Sequence, residues 1–223
     1  MRTDGRGRPR LEQSRRPGKT AREEILDAAA ELFTTNGYSN TSTRAIADAV
    51  GMRQASLYHH FGTKDDILDA LLAGTVDAPL IAAANLLAEA SPAAPRLHLL
   101  VVSDVTQLCG SHWNLGALYL LPELRVDRFA GFRARRAQLR SHYRELARHV
   151  IAECDGPQEA DDLPFRLVES VINLRSDDNT CPPDQSWVIA DGALRCLGWT
   201  GDLAQLRQGT ADRLLSAPVN VSA

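Results

Sequence analysis

From position 20 onward apolar side chains recur every three or four residues, the period of helices that bury one stripe. The first run puts Ile25, Ala28, Ala29, Leu32 and Phe33 on one face. Thr20-Ala21-Arg22-Glu23 ahead of it has the form of a capping box, and Gly37 supplies a left-handed stop, so a helix is expected over 21–36. A second short helix, capped by Ser42 or Thr43, carries Ile46, Ala47 and Val50 and ends at the turn residue Gly51. A third, over about 54–60, is pinned by Leu57 and Phe61 at i and i+4. That leaves Arg53, Gln54, Ala55, Ser56, Tyr58 and His59 facing outward. Two short helices across a glycine turn form a helix-turn-helix. Residues 63–66 make a second cap, opening a helix with Ile67, Leu68, Leu71 and Leu72 inside, and Pro79 is expected to break or kink the chain about one turn beyond.

Further helices are expected over about 80–90, 93–109, 114–121, 126–153, 162–175, 185–197 and 202–215, separated by connections rich in Pro and Gly. The longest steps through Phe129, Phe132, Arg136, Leu139, Tyr143, Leu146 and Val150, with Arg133, Arg140, Arg144 and Arg148 mostly on other faces. No stretch alternates as a strand does and no repeat period emerges, so the fold class is all-α. A chain of 223 residues is long enough for two units. The division read from the pattern is an arm at 1–19, a helix-turn-helix domain at 20–72 and a larger helical domain at 73–218.

Charge refines this picture. The net charge is −3, yet residues 1–22 hold eight Arg or Lys against Asp4 and Glu12, a net of +6, which leaves −9 for the rest. A cationic arm on an acidic body suits nucleic acid, and Arg6-Gly7-Arg8-Pro9 resembles the core of a minor-groove hook. The arm itself, Gly-, Pro- and Arg-rich, is expected to be disordered. Cys109, Cys154, Cys181 and Cys196 lie far apart without a CxxC, which predicts free thiols and neither a disulfide framework nor a metal site. No apolar run is read as approaching the roughly 18 residues a membrane span needs, so a cytoplasmic protein without membrane contact is expected.

The stretch from Thr20 to Leu72 closely resembles the DNA-binding region of the tetracycline-repressor (TetR) family. Three blocks carry the resemblance: A-x-x-L-F-x-x-x-G-Y at 29–38, T-R-x-I-A-x-x-x-G at 43–51 and L-Y-x-H-F-x-x-K at 57–64. It implies a homodimeric regulator bound to a double-stranded DNA operator. A recognition helix enters the major groove N-terminus first, so Arg53, Gln54, Ala55 and Ser56 are the candidate base readers. Gln54 suits adenine, Arg53 guanine or a phosphate, and Ala55 a thymine methyl. Thr43, Arg44, Tyr58, His59 and Lys64 stand where family members touch the backbone, and Arg6 and Arg8 are the minor-groove candidates.

Residues 73–218 exceed what dimerisation needs, which favours an effector-responsive repressor over a constitutive or architectural DNA binder. A small, mostly apolar ligand is expected among the helices over 93–109, 114–121, 126–153 and 162–175. Asp104, Gln107 and Asn173 would orient it, and Trp113, Tyr119, Phe129 and Phe132 would form aromatic wall. The helix over 114–121 is the expected moving element. The dimer seam implied by the resemblance falls on 162–175 and 185–197, through Val168, Val171, Ile172, Trp187, Ala190, Ala193, Leu194 and Leu197. His98, Cys109 and His112 do not share a helical face as three metal ligands would, and Ser103, Asp104 and His112 lack a nucleophile elbow. Neither a metal, a cofactor nor an enzyme is therefore expected.

Overall fold

The computed structural model describes residues 16–216. Among them are nine α-helices and no strand: α1 Ala21–Thr35, α2 Thr43–Val50, α3 Gln54–Tyr58, α4 Lys64–Ala88, α5 Ala93–Gly110, α6 Ala130–Cys154, α7 Leu163–Asp178, α8 Gln185–Cys196 and α9 Leu203–Ser216. Short 3-10 turns at Leu115–Leu120, Pro122–Arg125 and Asp127–Phe129 join α5 to α6. Two compact units divide between Ile67 and Leu68, inside α4 and five residues before the expected boundary.

In the first unit the capping box at Thr20 is complete. The Thr20 hydroxyl accepts from the Glu23 amide at 3.2 Å, and the Glu23 carboxylate accepts from the Thr20 amide at 3.1 Å. Ser42 caps α2 by accepting from the Ala45 amide, and Gly51 closes it at φ 76°, where a side chain would be strained. Ile25, Ala28, Ala29, Phe33, Ile46, Ala47 and Leu57 form the core between α1, α2 and α3. Arg16, expected in a disordered arm, docks here: its guanidinium pairs with Asp27 at 3.3 Å and with Glu31 on α1. Arg6 and Arg8 lie outside the described residues.

Helix α4 does not break at Pro79, and the expected separate helix over 80–90 is its continuation. Proline lacks an N–H and crowds the carbonyl four residues back, here that of Thr75. The Gln107 side-chain amide on α5 donates to the Gly74 carbonyl at 3.0 Å and the Thr75 carbonyl at 3.5 Å, supplying a donor where the helix lost one. With a mean hydropathy of 1.6 over an 18-residue window, α4 is long and apolar enough to cross a membrane by length and composition, contrary to expectation. The Ala and Leu between its charges account for that value. Its Asp77 pairs with Arg135 of α6 at 3.0 Å, and 44% of the window is buried.

In the second unit α5 is central, packed against α6, α7, α8 and α9 through Leu97, Leu100, Val101 and Val105. Two expectations are corrected. Cys109 and Cys181 form a disulfide, with Cα atoms 5.6 Å apart, while Cys154 and Cys196 are free. A separation of 72 positions conceals the pairing in the sequence, and packing brings the end of α5 to the α7–α8 connection. Seven of the eight expected seam residues, Val168, Val171, Ile172, Ala190, Ala193, Leu194 and Leu197, are buried within the single chain; Trp187 is half-buried. Their stripes are the inner faces of α7 and α8, satisfied by α5 and by each other.

Candidate DNA-binding surface and effector cavity

Of the five residues of α3, Leu57 is buried and Gln54, Ala55, Ser56 and Tyr58 are exposed, with Arg53 and His59 exposed at its ends. One hydrophobic anchor thus fixes the helix while its outer face stays free. The Gln54 amide donates to the Thr43 hydroxyl at 2.9 Å, and that hydroxyl shares a 3.1 Å hydrogen bond with Tyr58. This network couples the start of α2 to both ends of α3. Arg44 is exposed, its guanidinium 3.9 Å from Asp48. Lys64 is placed differently from the other expected contacts. Its ammonium donates to the carbonyls of Tyr38 and Thr41 at 2.8 and 2.9 Å and stands 4.1 Å from the Tyr38 ring centre. Tyr38 in turn donates to Asp65. Lys64 therefore clasps the α1–α2 connection, a role invisible in the motif.

The expected effector residues of the second unit do not form one site. Tyr119 and Phe132 line a cavity of about 470 Å³ between α6 and the 3-10 turns. Asp104 lies deeper, beside a void of about 20 Å³ that Tyr119 also borders. Tyr143 donates to Asp104 at 2.9 Å, and burial pushes the Asp104 carboxyl up to about 7. Burial likewise raises the Tyr119 phenol, which donates to the Thr75 hydroxyl at 2.6 Å. Gln107 borders a separate space of about 230 Å³ and is engaged with α4. Phe129 is a core residue, Trp113 stacks edge-on with His112, and Asn173 is exposed on the outer face of α7. Asn173 is thereby removed from the wall: the positions that α7 turns inward are Val168, Val171, Ile172 and Arg175.

The sequence reading missed the cationic lining of this cavity. It consists of Arg125 together with Arg133, Arg136, Arg140 and Arg144. Their steps of three, four and four were the available signal, a charged stripe at helical period. Another missed residue is Arg175, buried at the end of α7, which donates to the carbonyls of Leu108, Ser111, His112 and Trp113 and so caps the end of α5. Desolvation lowers its pKa.

An exposed short helix pinned by one leucine across a glycine turn, joined to a larger helical unit with internal cavities, defines a DNA-binding transcription regulator. The model of "Bacterial regulatory proteins, tetR family" matches residues 25–71. The crystal structure of Mycobacterium smegmatis AmtR is 73% identical and superposes with a TM-score of 0.90, covering 92% of this chain and all of that one. The ketosteroid regulator KstR2 of Mycobacterium tuberculosis shares the fold at 24% identity and a TM-score of 0.66, covering 82% of this chain and 95% of that one. The repressor KstR2 of Rhodococcus jostii (strain RHA1) is 48% identical over 61 residues, 27% of this chain and 30% of its own length. The chain belongs to the tetR family of bacterial regulatory proteins, and it is a transcription regulator rather than an enzyme.

Proposed function

We propose that this regulator is a cytoplasmic repressor that grips a palindromic operator as a two-fold dimer and is released by a small effector with a mostly apolar body. The carrying observation is the cavity of about 470 Å³ in the second unit, walled by Tyr119, Leu121, Leu124 and Phe132, a volume within the roughly 300–1,000 Å³ of small-molecule sites. A constitutive binder has no use for it.

On the DNA side, Gln54, Arg53, Ala55 and Ser56 read base edges, while Thr43, Arg44, Tyr58 and His59 hold phosphates. Thr43 and Tyr58 share a shallow depression with Ser42, Thr63 and Lys64, whose hydroxyls and amides suit a phosphate oxygen. Lys64 contributes by holding Tyr38 and Thr41, which keeps that depression in shape.

Release requires the effector to favour a conformation that fits the operator badly. Reversing a 99:1 population takes about 5.5 kcal/mol of differential binding. The segment 114–125, built of 3-10 turns with weaker hydrogen bonding than an α-helix, is the proposed moving element. Linkage supplies the test: an operator selected from random DNA must weaken effector binding by the factor by which effector weakens operator binding. A tightly bound effector whose affinity ignores saturating operator would establish a constitutive binder instead.

A further inference from the structure

The cavity between α6 and the turns at 115–125 has both an apolar and a cationic lining. Arg133, Arg136, Arg140 and Arg144 return to one stripe of α6, and Arg125 joins them. Like charges three and four residues apart repel, so a stripe of this kind needs compensation. Neighbouring carboxylates provide part of it. Arg136 pairs with Glu169, Arg140 with Asp162 at 2.6 Å, and Arg144 and Arg148 share Asp161 at 2.9 and 2.7 Å. Arg166 draws on Asp162 and Glu169 again, at 3.0 and 3.4 Å. Five guanidinium groups thus share three carboxylates, and Arg133 and Arg125 line the same cavity. Their arginine partners hold Asp161 and Asp162 below the usual carboxylate range, so both are already ionised at neutral pH and the excess positive charge stands.

The guanidinium heads are also held in place. Arg133 donates one nitrogen to the carbonyls of Leu124 and Val126, at 2.5 and 2.6 Å, which leaves the rest of its fork available. Arg136 lies 5.4 Å from the Tyr119 ring centre and 5.5 Å from that of Phe165. Arg136, Arg140 and Arg144 already give Nε and Nη2 to Glu169, Asp162 and Asp161, so Arg133 offers the planar fork that binds an oxyanion through two parallel hydrogen bonds, and the others add charge and their remaining Nη1 donors. A neutral apolar ligand would fill the apolar lining and leave this charge unanswered.

We infer that the cavity binds an amphipathic anion, with a carboxylate or phosphate head on the arginine stripe and an apolar body against Tyr119, Leu121, Leu124 and Phe132. The inference names the ligand class of the effector site proposed above, and rests on that reading for its regulatory meaning only.

Calorimetry with the full-length protein tests it, using octanoate, octyl phosphate, octanol, octylamine and inorganic phosphate as probes. At least one of the two amphipathic anions should bind tenfold or more tightly than octanol, octylamine and inorganic phosphate. Its affinity should fall as salt rises. Which anion wins identifies the head group. Ala137, exposed on the same wall, carries no structural bond through its side chain, so Ala137→Glu adds an opposing charge without removing one. It should weaken the anion at least tenfold and leave octanol unchanged, as should Arg133→Gln if that variant remains helical by circular dichroism. Octanol binding as tightly as both anions, no binding by either anion, or Ala137→Glu binding like the parent protein would each overturn the assignment. An anion that binds as expected but ignores saturating operator would support the site and overturn the effector reading.

Discussion

Asp104 shows how one buried side chain sets a measurable pH dependence. Its carboxyl sits against Tyr143 inside the second unit and titrates at about 7 rather than 3.8, because burial disfavours the charged form. The folded protein therefore binds a proton that the unfolded chain has released, and this group's contribution to stability falls as pH rises from about 4 to about 7. Asp104→Asn keeps an acceptor for Tyr143 and removes the titration. Urea melts should show the variant gaining on the parent by about 1–3 kcal/mol between pH 4.5 and 8. Parallel curves would exclude the assignment. Comparing variant with parent cancels His98, whose pKa desolvation lowers and whose effect runs the other way, costing stability as pH falls below 6.5. Asp161 and Asp162 act below about 4, where protonation removes their ion pairs. On the DNA face, Gln54→Ala should relax preference at one operator base pair by about 1–3 kcal/mol. Lys64→Ala should weaken every sequence alike and lower the thermal midpoint as well, since it frees two carbonyls. Anisotropy titrations on singly substituted operators separate the two, and an equal, sequence-independent loss from both would misplace the recognition helix. The exposed face of α3 was legible because it follows from Leu57 and Phe61 four residues apart. The role of Lys64 was not, because its acceptors are backbone oxygens more than 20 residues away that no pattern marks.

Helices were legible as elements wherever cap, period and stop agreed, and the exceptions each involve a partner distant in sequence. Pro79 interrupts the local rule for α4, but Gln107 comes from α5 with a donor 3.5 Å from the Thr75 carbonyl that lost its partner and 3.0 Å from that of Gly74, and the helix runs on. The arginines of α6 mostly stand off its apolar stripe in the sequence, and only the carboxylates of Asp161, Asp162 and Glu169 that pair with them show them as one cluster. The same distance hid the bond between Cys109 and Cys181, which ties the end of α5 to the connection after α7, beside the carbonyls that Arg175 caps. Closing a loop of 72 residues restricts the unfolded chain, and loops of this order are stabilised by about 3–5 kcal/mol. Reductant should accordingly lower the melting temperature of the parent protein and leave that of Cys109→Ser unchanged, with the two coinciding once reduced. A parent melt indifferent to reductant would mean that the pair contributes nothing. Disulfides are scarce in a reducing cytosol, so the oxidised fraction in cells decides how much of this stabilisation operates there.

The whole molecule must present two recognition helices about one DNA turn apart, roughly 34–36 Å, to hold a palindromic operator, and that requires a two-fold interface. The inner stripes of α7 and α8 are consumed by the core of the protomer, so we propose the seam on their outer faces. These carry Leu163, Leu167, Ser170 and Leu174 on α7, and Val188, Gly192 and Cys196 on α8. Leu163 and Val188 are 43% and 50% exposed, apolar surface that a second copy would cover. Gly192 adds a second argument. A glycine within a helix costs about 0.5–1 kcal/mol relative to alanine, and a Cβ at this position would meet nothing within 4 Å, so the protomer gains nothing from its absence. A helix from a second copy crossing there would gain close approach. Gly192→Leu should therefore leave the protomer folded, with helicity at least that of the parent, and shift sedimentation from dimer to monomer. Operator affinity should collapse toward that of a single half-site. Leu194→Glu serves as the contrast, because Leu194 is wholly buried and the charge should unfold the protomer rather than separate two intact ones. A Gly192→Leu protein that remains dimeric would move the seam elsewhere, whereas monomers that retain full operator affinity would remove the dimer from the mechanism.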